Sequence, residues 1–118
     1  MLVVDDEKAI RMVCRVNLEV DGFRVLEAGT IDQARAVIAS EEIDVALIDV
    51  HVGTADGLEL VRELRQQGPR RAIALLTGSV ELSGDERAGA DEILGKPFTI
   101  DELLEVVHRL ATAVDSPQ

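Results

Sequence analysis

Five side chains scattered along the chain are of the types needed to hold a metal ion and accept a phosphoryl group. Asp5 and Asp6 follow a short apolar run, Asp49 closes the run Val45, Ala46, Leu47, Ile48, Thr77 closes residues 72–76, and Lys96 follows residues 92–95. Three carboxylates gathered within about 4 Å repel by roughly 4 kcal/mol per pair at an effective dielectric of about 20, so such a cluster needs a cation. With one cysteine and two histidines in the whole chain, the ligand supply is mainly oxygen. That favours a hard ion, and a partly hydrated Mg2+ suits two or three carboxylates better than a dedicated Ca2+ cage would. Beside such an ion a phosphoryl group could be transferred to Asp49. Mg2+ and Lys96 would neutralise charge on the equatorial oxygens, and Thr77 would donate a hydrogen bond to one of them. The competing reading is a set of unrelated polar residues closing separate strands.

For these residues to meet, short strands must lie parallel. Residues 45–48 show no apolar–polar alternation, as expected of a strand covered on both faces, and the run stops on Asp49. Residues 1–4, 24–28, 72–76 and 92–95 read as the other four strands. Between them Lys8–Val20 carries Ile10, Val13, Cys14 and Leu18 on one face and is stopped by Gly22. Thr30-Ile-Asp-Gln and Thr99-Ile-Asp-Glu are capping boxes. They open helices with inner faces Ile31, Ala34, Ile38 and Leu103, Val107, Leu110, Val114. Asp56 is the candidate N-cap of a helix after the third strand, with Glu59 three residues on and Gly68 and Pro69 as its stop. The pattern between Gly78 and Gly89 is weak and predicts only a short helix near residues 83–88. Strands alternating with helices through short connections imply right-handed crossovers and a parallel sheet with helices on both faces. Ligands of such sheets bind beyond the carboxyl ends of the strands, where all five candidates emerge.

Composition narrows the function further. At 118 residues the chain reads as one domain able to bury a core without disulfides, residues 1–111, with 112–118 as a C-terminal tail or the start of a linker. Twelve Lys and Arg against 23 Asp and Glu give a formal net charge of -11, which repels nucleic acid phosphates and anionic lipid. Phe23 and Phe98 are the whole aromatic complement, so stacking platforms for single strands are missing. No run is long enough to span a membrane and the amino terminus does not read as a signal peptide, so the chain is expected in the cytoplasm, binding neither membrane nor nucleic acid by itself. Cys14 reads as a packed small hydrophobe.

The ordered set VVDDE, LIDVHVGTADGLEL, LLTG and GADEILGKPF closely resembles the receiver domain of two-component response regulators, over nearly the whole chain. The resemblance implies a flavodoxin-like (βα)5 three-layer α/β sandwich with a five-stranded parallel sheet of order 2-1-3-4-5. It implies that Asp49 is the phosphoacceptor, served by a phosphohistidine on a histidine kinase or phosphotransfer protein. Asp5, Asp6, Asp49 and the backbone carbonyl of His51 would hold Mg2+, Thr77 would be the switch hydroxyl, and Lys96 the ammonium paired with the phosphoryl group. In such proteins Pro97 commonly follows a cis peptide bond. The output would be an altered surface near the fourth helix, read by an effector domain or a downstream protein, with weak homodimerisation as a further expectation. Slow self-dephosphorylation is implied, so the chain reads as a signalling module more than an enzyme.

Several positions depart from that pattern. Ile93 stands where receivers usually carry an aromatic, Gly53 where a proline is common, and the segment from Thr77 to Lys96 is short, which places dimerisation through that region in question. The first strand begins at Met1 with almost no lead-in, as in a piece of a longer protein. His51 reads either as a metal ligand or phosphohistidine, or as a solvent-facing side chain that with Ser79 tunes water attack on the acyl phosphate; His108 reads as exposed. Two other classes remain: a protein-interaction module working without phosphorylation, and a Mg2+-dependent phosphatase with an aspartyl nucleophile. Phosphatases of that kind place an Asp two residues after the nucleophile, where this chain has His51. Nucleotide binding fails for want of a G-x-x-x-x-G-K loop.

Overall fold

The computed structural model describes residues 1–67, 71–78 and 89–115. The expected helix near 83–88, the stop at Gly68 and Pro69, and Ser79 lie outside the described residues. In chain order the elements are β1 (Leu2–Val4), α1 (Lys8–Val20), β2 (Leu26–Ala28), α2 (Ile31–Ser40), β3 (Val45–Asp49), β4 (His51–Val52), β5 (Ala55–Asp56), α3 (Gly57–Gln66), β6 (Ala72–Thr77), β7 (Glu92–Gly95) and α4 (Ile100–Asp115).

Unbroken apolar strands need a cover on each face, and the structure supplies two. Leu2, Val4, Ala46, Ile48, Ile73 and Leu75 pack with Ile31, Ala34, Leu60, Val61 and Leu64 of α2 and α3. Val3, Val45, Leu47, Ala74 and Leu76 pack with Cys14 and Leu18 of α1 and with Leu103, Val107 and Leu110 of α4. Each fully buried Leu or Ile contributes about 1.5–3 kcal/mol. The main sheet runs β2-β1-β3-β6-β7, all parallel, which is the predicted 2-1-3-4-5 order once strands of this sheet alone are counted. The register sets Val4 level with Ala28 and Ile48, Asp49 with Leu76, and Thr77 with Gly95, so the strands end together.

Helix ends follow local chemistry. Thr30 accepts a hydrogen bond from the Gln33 amide, and Asp56 accepts one from the Leu58 amide. Thr99 and Glu102 form the reciprocal box, each side chain accepting from the other's backbone N–H. The α1 helix closes at Gly22, whose φ of 95° lies in the left-handed region that favours glycine.

Two expectations are corrected. Val13 is exposed, not inward: the buried line on α1 is Cys14 and Leu18 with Ile10 half-buried, and Val13 stands one residue, about 100°, around the helix from it. The second strand starts at Leu26, not Arg24. The α4 helix runs through Asp115, in keeping with a stripe expected to reach Val114, and Leu110 is packed on the sheet. A small antiparallel ribbon, β4 with β5, was not anticipated. Among the described residues no helix is long and apolar enough to cross a membrane.

Candidate functional site

At the carboxyl edge of the sheet the loop after β1 turns inward. Asp5 is fully buried, and each of its polar groups has a partner. Its amide donates to the Ala28 carbonyl, Oδ1 accepts from the Glu7 amide at 2.9 Å, Oδ2 accepts from Lys96 Nζ at 2.7 Å, and its carbonyl accepts from Arg11 Nη1 at 2.7 Å. The next residue, Asp6, is exposed and makes no hydrogen bond or ion pair with the described residues.

Asp49 ends β3 and is almost fully buried. One carboxylate oxygen accepts from Lys96 Nζ at 3.1 Å and the other from the His51 amide at 3.2 Å. Ligand oxygens of Asp5, Asp6 and Asp49 lie within 4.8 Å of one another. Lys96 leaves β7 on a cis bond to Pro97, and its own amide donates to the Thr77 carbonyl at 2.7 Å. Thr77 is buried at the end of β6, one residue past the partner of Asp49. All five predicted residues are therefore at one rim. The His51 side chain is exposed on β4, and its backbone is tied to Asp49. His108 is exposed as expected, yet it pairs with Asp21 at 2.6 Å and meets Phe23 edge-on.

Burial pushes the Asp49 carboxyl above its ordinary range. Hydrogen bonds from Lys96 and the His51 amide pull the other way, and the Asp5 charge adds to the rise. Burial also works against the Lys96 ammonium, but hydrogen bonds and charge from Asp5 and Asp49 outweigh it and raise its affinity for the proton. Three carboxylates face one ammonium, an imbalance that a divalent cation would relieve. The donor set, all hard oxygen with Asp6 open to solvent, fits Mg2+ and offers nothing to a soft ion. The Cys14 thiol is pushed up to about 12, chiefly by burial, which makes it an inert core side chain.

Sequence reasoning missed two contributors. Gly57 opens α3 directly against Asp49: a Cβ there would collide with the Asp49 carbonyl, and the Gly57 amide donates to the Val50 carbonyl at 2.7 Å. Arg11 reads in sequence as one more charge on the polar face of α1, with nothing to mark the carbonyl it binds.

A five-stranded parallel sheet of this order, with acidic residues, a hydroxyl and a lysine at its carboxyl rim, defines a flavodoxin-like receiver. The family described as the response regulator receiver domain matches residues 1–108, and the chain belongs to that family. It is 38% identical over 122 residues to the KDP operon transcriptional regulatory protein KdpE of Escherichia coli, covering 99% of this chain and 54% of that protein. The receiver domain of NtrX from Brucella abortus superposes with a TM-score of 0.86 at 30% identity, over 98% of each chain. A response regulator from Burkholderia pseudomallei, solved with a phosphorylated aspartic acid, calcium ion and citrate, gives 0.79 at 28% identity over 98% of this chain and 74% of that one. The chain spans about half the length of the curated relatives it matches.

Proposed function

We propose that the chain is a phosphorylation switch in which Asp49 accepts a phosphoryl group from a phosphohistidine on a histidine kinase or phosphotransfer protein. The observation that carries this reading is the Lys96 ammonium spanning Asp5 and Asp49 at the rim where three carboxylates converge. An Asp49 oxygen attacks phosphorus, the P–N bond of the donor breaks, and the electron pair leaves with the imidazole. Asp5, Asp6, Asp49 and the His51 carbonyl are the proposed Mg2+ ligands, and the ion when bound supplies positive charge beside the phosphoryl oxygens. Lys96 pairs with one of those oxygens, and the Thr77 hydroxyl donates to another. Attack by water on phosphorus breaks the acyl phosphate's P–O bond and restores the carboxylate, so the mark is transient. The phosphorylated aspartic acid of the Burkholderia protein supports the reading of Asp49 as the acceptor.

The readout of the switch differs from one that turns on an aromatic rotamer. Ile93 is half-buried against the core face that contains Val52, Leu60 and Ile73. Coupling is therefore assigned to Thr77, with the change read by an effector domain or a downstream protein. Residues 1–111 are proposed as the receiver unit, in a cytoplasmic setting and with at most weak self-association. The test is to add beryllofluoride, a phosphoryl mimic, with Mg2+ and record amide NMR spectra. Shifts centred on residues 5–7, 49–51, 77–78 and 96 in the unmodified chain, absent from Asp49→Asn, support the switch. An unchanged spectrum in both would favour an interaction module working without phosphorylation.

A further inference from the structure

We propose that Arg11 is a positioning residue for the Mg2+ site, holding the Asp5–Asp6 peptide plane so that the Asp6 carboxylate faces the cluster. This inference rests on the metal reading given above and concerns a residue that touches neither the metal ligands' carboxylates nor the acceptor. Asp6 is exposed and finds no partner among the described residues, so the Cα–Cβ direction fixed by its backbone is what aims the side chain at the cluster. The carbonyl of Asp5 is half of the peptide joining the two acids, and Arg11 Nη1 donates to it at 2.7 Å. The other anchors of Asp5 act elsewhere: Ala28 on its amide, Glu7 and Lys96 on its carboxylate.

The guanidinium is itself held in place. Its Nε donates to Glu27 Oε1 at 3.1 Å, and Arg15 Nη1 holds the other oxygen of Glu27 at 3.1 Å. Arg11 is largely buried, its side chain 17% exposed. Gly29 leaves it room: a Cβ there would lie 3.0 Å from Arg11 Nη1. A planar fork with two directed donors suits this bridge, and an ammonium can serve only one end of it well.

The experiment measures Mg2+ binding directly, by calorimetry and by amide shifts of residues 5–7, in the unphosphorylated chain. Arg11→Gln and Arg11→Lys are compared with Arg15→Gln, which loosens the same Glu27 without touching Asp5, and with Asp6→Asn. Thermal melting checks that each variant is folded. Both Arg11 variants are expected to weaken Mg2+ by roughly tenfold or more, the scale set by groups that orient metal ligands, with Arg15→Gln unchanged. If Arg11→Lys folds and binds Mg2+ as tightly as the unmodified chain, or if Arg15→Gln is as impaired as Arg11→Gln, the positioning role is rejected while the metal reading stands. If the unmodified chain and Asp6→Asn bind Mg2+ alike, the metal reading itself fails and this role with it.

Discussion

Lys96 and Asp5 are separated by 91 positions in the chain, and the ammonium of one lies 2.7 Å from a carboxylate oxygen of the other. Asp5 is fully buried, so the lysine supplies the nearest positive charge to an acid that water cannot reach. Replacing Lys96 by Met leaves two buried carboxylates without it. Breaking one partner from a buried pair is expected to cost about 3 kcal/mol. Urea unfolding without divalent ions should show that loss, and added Mg2+ should return part of it. Equal stability with and without the ammonium would mean that the cluster is protonated or hydrated in some other way.

The raised Asp49 carboxyl sets a pH dependence. Because folding raises the affinity of Asp49 for its proton, its contribution favours the fold fully below its unfolded range and is lost as pH rises through the folded value. At neutral pH Asp49→Asn is therefore expected to be the more stable protein, with the gap closing in mild acid. Lys96 has the same sign at the alkaline end: its contribution holds below its unfolded range and disappears as pH rises through the raised folded value. Thermal melts across pH without Mg2+ check both. Mg2+ at ten times its dissociation constant should add about 1.4 kcal/mol to the unmodified chain at neutral pH and much less in acid.

Gly57 should be intolerant of any side chain. A methyl group there meets the Asp49 carbonyl and approaches Ile48 Cγ2 to 3.2 Å, both part of a packed strand end that cannot yield cheaply. Gly57→Ala is expected to destabilise by about 1–3 kcal/mol and, because relief must shift the Asp49 backbone, to slow phosphorylation as well. Urea melts paired with acetyl phosphate labelling would separate the two effects. A fold that accepts the methyl group with full labelling would contradict the close approach.

If a partner protein donates the phosphoryl group, as proposed, the exposed apolar stripe on α1 offers it a surface beside the site. Met12, Val16 and Val20 are 55%, 55% and 85% exposed, on a helix that starts two residues after Asp6. Val16→Asp should leave stability and labelling by acetyl phosphate unchanged while slowing transfer from a partner kinase about tenfold, the effect of losing about 1.4 kcal/mol of interface energy. Equal slowing with both donors would place Val16 in the chemistry and not in docking.

Most of the fold was legible because its strands are unbroken apolar runs and its helices carry side-chain caps that the structure reproduces at Thr30, Asp56 and Thr99. Convergence of Asp5, Asp49 and Lys96 followed from parallel strands ending level. Other features depend on packing that no local pattern encodes. Val13 matches the apolar period of α1, but the buried line is narrower than that period suggests. Arg11 and Gly57 act on main-chain carbonyls, which are identical at every position in a sequence. The β4–β5 ribbon pairs only two residues a side, too few to leave an alternating pattern.

The central claim is tested most directly by incubating the protein with acetyl phosphate and following its intact mass with and without Mg2+, alongside Asp49→Asn. The predicted result is gain of a single phosphoryl group that needs Mg2+, is lost on standing and maps to the peptide containing Asp49. Equal labelling of Asp49→Asn would contradict the account.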